Sequence, residues 1–142
     1  MTLSSFAATR LPGPPTVGSG YQPGVCNIGP AEIARRRLAG HVGLAATVIL
    51  FGVLVAIGAP HAVRLVLALP AAAAASGYLQ AWLKFCAGFG SRGIFNFGQV
   101  GRTEQVPDPD ARGRDRRRAR QIGLASLAIA VAVAVAAVLL PL

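Results

Sequence analysis

Acidic side chains are scarce. Five Asp and Glu stand against fourteen Lys and Arg in 142 residues. All five lie outside the apolar runs, so paired-carboxylate catalysis has little to work with. Charged residues of both signs make up 13% of the chain, where a soluble domain carries about 25%. That deficit, beside long apolar runs, argues for a membrane protein rather than a large soluble core. Cysteine is limited to Cys26 and Cys86, too few for a secreted disulfide scaffold. The two histidines, His41 and His61, fall near opposite ends of the first apolar run and do not make a metal site. His61 reads as a solvated turn residue. The glycines of 84–98 alternate with phenylalanine, with no preceding strand and no following Lys-Ser/Thr, so they are not a phosphate-binding fingerprint. No catalytic, metal-binding or cofactor-binding residue is therefore assigned, and no cofactor is expected.

The net charge is +9, but no groove-reading motif accompanies it. The basic residues cluster beside apolar runs, as they do at the cytoplasmic ends of membrane helices, so no nucleic-acid partner is expected. No uninterrupted apolar core follows Arg10, which disfavours a secretory signal peptide. Arg35-Arg36-Arg37 is not read as a twin-arginine signal, because a second span follows and export would place the later Arg-rich segment outside.

What the chain does have is three apolar runs of membrane length, at about 40–58, 62–83 and 122–140. The expected fold is an all-α membrane protein with three transmembrane helices, the first two forming a hairpin. The domain reading is a flexible Pro/Gly-rich tail over 1–25, a membrane hairpin with flanking Cys segments over 26–98, a basic cytoplasmic linker over 99–121 and a third transmembrane helix over 122–142. Pro30 and Glu32 suit the first turn of a short surface helix that runs into the first span. Gly58-Ala59-Pro60-His61 is the turn, and Arg64 is expected to snorkel out beside it. Pro70 is expected to kink the second span and leave the Val66 carbonyl unpartnered. The small residues 71–77 are expected to receive a neighbouring helix, with Ala73 and Gly77 as packing positions. Tyr78 and Trp82 form an aromatic girdle with Lys84 just beyond. In the third run Ala130, Ala134 and Ala137 share one helical face. Val106 to Asp110 reads as a breaker. Arg112, Arg114, Arg116, Arg117, Arg118 and Arg120 are candidate contacts for anionic lipid head groups.

Basic residues precede the first run and fill the interval between the second and third, while the first turn has only Arg64. Basic loops stay in the cytoplasm. The expected placement is a multi-pass protein of the bacterial inner membrane, with a cytoplasmic N-terminus and the C-terminus outside.

Cys26, the Asn27-Ile28-Gly29 start, an acidic-then-Arg stretch ending in Gly40, two short-linked spans and Cys86 together occupy residues 26–95. This half of the chain resembles a family of small bacterial inner-membrane helical hairpins, also found as the membrane part of membrane-anchored rhodaneses. The chain departs from the family in lacking a rhodanese domain, in Pro70 and in the added third span. The hairpin has no firmly assigned chemistry in the family, so the resemblance implies fold more than function.

Three functions compete. The first is a non-enzymatic accessory or scaffold subunit of a membrane complex, with the bilayer and a homo-oligomer or larger complex as partners. The second is a sulfur-carrying, redox or metal-binding role for the thiol pair Cys26 and Cys86, expected on one side and near one another. The third is an oligomeric channel or transporter component, which the near absence of charge within the spans disfavours.

Overall fold

The computed structural model describes residues 20–142; residues 1–19, most of the expected tail, lie outside the described residues. The chain is mostly helical. Three helices are long and apolar enough to cross a membrane.

Helix α1 spans Pro30–Ala56. Pro30 occupies its first turn, where no intrahelical N–H is required, and Glu32 sits at the positive end of its dipole. The surface segment before the first apolar run is thus continuous with it. The helix ends in a Schellman motif. Gly58 adopts φ 64°, the Ala59 N–H donates to the Leu54 carbonyl, and the Gly58 N–H donates to that of Val55.

The returning segment begins as a 3-10 helix over His61–Leu67 and continues as α2, Ala68–Trp82. Pro70 therefore lies in the first turn of α2, where its missing N–H breaks nothing. The Val66 carbonyl accepts a backbone N–H at the junction. The expected unpartnered carbonyl is absent because the chain changes helix type before the proline.

A short helix α3, Ala87–Arg92, follows. Strands β1 (Ile94–Phe95) and β2 (Glu104–Gln105) then pair antiparallel, Ile94 opposite Gln105. Helix α4 runs from Pro109 to Leu139. Asp108 caps it, accepting from the N–H groups of Asp110 and Ala111 at 3.0 and 3.2 Å. The Pro-Asp-Pro breaker is thus a helix start, and the second half of the basic linker is helical.

α1 and α2 meet antiparallel at a glycine crossing. A Cβ on Gly77 would collide with the Gly40 nitrogen, and one on Gly43 would lie 2.5 Å from the Ala74 nitrogen. α4 packs on α2, on the 3-10 helix before it and on α3, and buries a stripe of Ala119, Ile122, Ser126, Ala130, Ala134 and Ala137. Val131 and Val135, on the other face, are exposed. At the end where α1 and α4 begin, segments 20–29 and 84–108 fold into a cap. Phe85 packs there on Ala119 and Ile122, and Phe95 on Val106 and Ala111.

Candidate functional site: a polar cap on the basic end

The cap is held by side-chain amides that replace missing backbone partners. Asn27 is fully buried. Its amide donates to the Cys86 carbonyl at 3.0 Å, and its side-chain oxygen accepts from the Cys86 N–H at 2.6 Å. Its main chain joins Lys84 on one side and Asn96 on the other. Lys84 makes this turn possible by adopting φ 53°, which costs an L-residue about 1–2 kcal/mol. Gln80 accepts from the Ala87 N–H at 3.0 Å and donates to the Ser76 hydroxyl at 2.6 Å. An apolar side chain at these sites would strand buried donors and acceptors.

Two of the five carboxylates are buried in the cap. Glu32, 1% exposed, accepts from the Asn96 amide at 3.2 Å and faces the Arg36 guanidinium at 3.7 Å. Asp115, 0% exposed, accepts from the Tyr21 hydroxyl at 2.8 Å and from the Gly24 N–H at 2.7 Å. The part of the expected tail that is described, residues 20–25, is thus strapped onto α4, and Tyr21 stacks on Phe95 with ring centroids 4.8 Å apart. Burial, then the bond to Asp115, pushes the Tyr21 hydroxyl above the usual tyrosine range.

The thiols lie in this layer. Both cysteines are free; Cys86 is buried and Cys26 half-buried. Cys86 is clamped to Asn27, the residue after Cys26, while the Cys26 sulfur approaches the Ile28 carbonyl at 3.8 Å. No group of three His, Cys, Asp or Glu side chains able to hold a metal occurs among the described residues.

The six candidate arginines wind around the first turns of α4. Arg114, Arg116, Arg117 and Arg120 are exposed, and Arg112 and Arg118 are half-buried. Arg112 lays its stem against Gly93. Of the two packing positions, Gly77 lies in the α1–α2 crossing, whereas the Ala73 side chain is exposed and Ala74 faces α1 in its place.

At the opposite end Arg64 turns inward instead of snorkelling. It is 1% exposed and donates to the carbonyls of Ala137, Leu140 and Leu142 at the end of α4. Those carbonyls have no helical partner, and a cation suits the negative end of the dipole, so the helix end rewards an inward arginine. His61 pairs with the Val138 carbonyl at 3.0 Å. His41 pairs with the Tyr78 hydroxyl at 2.6 Å, which draws Tyr78 from the girdle into the α1–α2 contact. Trp82 stays 80% exposed.

No family model, curated protein or solved structure matches the chain.

Sequence reasoning missed Asp115, Tyr21, Asn96, Gln80 and the inward role of Arg64. Asp115 had a signal. It stands in phase with Ala111, Ala119, Ile122 and Ser126, the buried stripe of α4. An acidic residue on an apolar stripe needs a buried partner.

Proposed function

We propose that the protein is a non-enzymatic, three-span scaffold or accessory subunit of a bacterial inner membrane, with its polar cap on the cytoplasmic face. One observation carries this reading. Large apolar side chains remain exposed along the outer faces of α1, α2 and α4, among them Val42, Ile49, Leu69, Leu124 and Leu127, while the exposed arginines gather at the capped end. A surface greasy at mid-length and basic at one end suits a bilayer with an anionic cytoplasmic leaflet. The cap then lies at the membrane surface, where its bonded core supports the exposed arginines as a rigid contact for anionic head groups and for a partner subunit.

The Asn27–Cys86 clamp favours the thiol-dependent alternative to the extent that it brings the Cys26 and Cys86 segments together.

Reporter fusions test the placement. A reporter active only outside the cytoplasm is expected to work when fused after Leu142 and to stay silent when inserted near Val106. The opposite pair of results removes the orientation.

A further inference from the structure

We infer that the flank of the α1–α2 pair holds one anionic phospholipid, with its phosphate on Arg35 and one acyl chain in the groove below. This site is separate from the α4 arginines, and the inference rests on the membrane placement proposed above.

The groove, of about 470 Å³, runs between Arg35, Ala39, Val42 and Ala46 of α1 and Pro70 and Ala73 of α2. It exists because the glycine crossing draws the two backbones together, while alanines on the flank are too short to fill the space beside it. Gly43 lies at its floor. Ala39, Val42, Ala46 and Ala73 are all exposed.

Length and charge identify the occupant. From Arg35 to Ala46 α1 rises roughly 16 Å, close to the half-thickness of a hydrocarbon core about 30 Å across. The groove therefore has the length of one leaflet, from the basic end toward mid-membrane, which is the length of one acyl chain below its head group. Arg35 is the one charged residue on its walls, and the others carry no polar side chain. Arg35 is exposed at the level where the basic run Arg35 to Arg37 meets the apolar span. The ion pair among the described residues is Arg36 with Glu32, which leaves Arg35 to meet an anion. A guanidinium above an apolar slot matches a phosphodiester above an acyl chain.

The test uses the full chain in mild detergent, stripped of lipid and offered phosphatidylglycerol or phosphatidylcholine, with retained lipid read by native mass spectrometry. Phosphatidylglycerol is expected to be retained about tenfold better, the equivalent of one charge-assisted hydrogen bond. Arg35→Gln should abolish that preference, and Arg35→Lys, which keeps the charge, should retain part of it. Ala73→Leu should fill the groove and remove the adduct without changing the melting temperature, because the Ala73 side chain is exposed and points away from the glycine crossing. Ala46→Leu, on the facing wall, is the second filling variant should Ala73→Leu not fold. Equal retention of the two lipids, or an adduct that survives both filling variants, overturns the site. Displacement of the lipid by inorganic phosphate alone shows a head-group site without a chain groove and overturns it too. So does conversion of a dimer to a monomer by the filling variants, which would assign the groove to a second copy. Reporter topology and lipid retention are read separately, so failure of the orientation is distinguishable from failure of the groove.

Discussion

Arg64 donates a hydrogen bond of 2.9 Å to the carbonyl of Ala137, 73 residues further along the chain. The same guanidinium reaches the Leu140 carbonyl at 2.8 Å and lies over the Phe51 ring at 5.9 Å. One side chain from the segment before α2 thus closes the end of α4 and covers part of α1. It fixes the far end of the three helices as the polar cap fixes the near end.

Replacing Arg64 with Ala is expected to lower stability by about 3 kcal/mol, because buried carbonyls lose a charged donor. Arg64→Lys should recover part of this loss, since an ammonium lacks the fork that reaches several carbonyls at once. Thermal unfolding in detergent reads both variants. An unchanged melting temperature for Arg64→Ala would show that water satisfies those carbonyls equally well.

Tyr21 gives the cap an alkaline limit. In an unfolded chain a tyrosine ionises near pH ~10. Its folded value is higher, first through burial and then through the bond to Asp115. Above about pH 10 the unfolded chain sheds a proton that the folded cap retains. The contribution of Tyr21 is therefore full below about pH 10 and is lost as pH rises through its folded value. Ultraviolet difference absorbance should show a tyrosine component that ionises above the ordinary range, and Tyr21→Phe should remove that component. The same variant should cost about 1.5 kcal/mol at neutral pH, the low end for a bond to a charged partner. Absence of that late component would sink the proposed strap.

Gly77→Ala tests the crossing of α1 and α2. The added Cβ would meet the Gly40 nitrogen and the Arg36 carbonyl oxygen, both main-chain atoms that cannot swing aside. The expected loss is about 1–3 kcal/mol. Gly52→Ala is the control. Nothing lies within 4 Å of a Cβ there, and replacing a mid-helix glycine should stabilise by about 0.5–1 kcal/mol. Equal effects of the two changes would remove the close crossing.

The long apolar helices were legible because hydropathy is a local property, readable without knowing any partner. The stripe Ala130, Ala134 and Ala137 was legible by the same periodicity, and these residues are buried against the rest of the fold. The cap was not. Gln80 and Asn27 act on backbone groups exposed by a left-handed Lys84, and neither that conformation nor the 59-residue separation of Asn27 from Cys86 leaves a periodic trace. Glycine density over 84–98 disfavours helix by propensity, yet Ala87–Arg92 is helical and packs on α4. Tertiary contact outweighs propensity in so short an element. Ala73 and Ala74 differ in no local property. Only the register of the crossing decides that Ala74 faces α1 and Ala73 faces outward.

The thiols test the cap and the orientation together. Cys86 is 2% exposed, and its main chain is held on both sides by the Asn27 amide. Cys26 is half-buried. With the cap in the cytoplasm, an impermeant maleimide should label neither cysteine in intact cells. After permeabilisation Cys26 should react first, and Cys86 only when the cap opens. Asn27→Ala removes two buried hydrogen bonds, so opening should become easier and Cys86 should react at least about tenfold faster. Cys26→Ser and Cys86→Ser assign the two signals. Labelling in intact cells would place the cap outside and reverse the orientation. Equal rates for both thiols in the folded protein would show that the clamp does not hold. Mild oxidation then asks a separate question. An intramolecular crosslink requires the two Cα atoms to come within about 7 Å, so its formation would support the thiol-dependent alternative. Its absence in protein that labels as expected would leave Asn27 and Cys86 a structural pair and remove the redox reading.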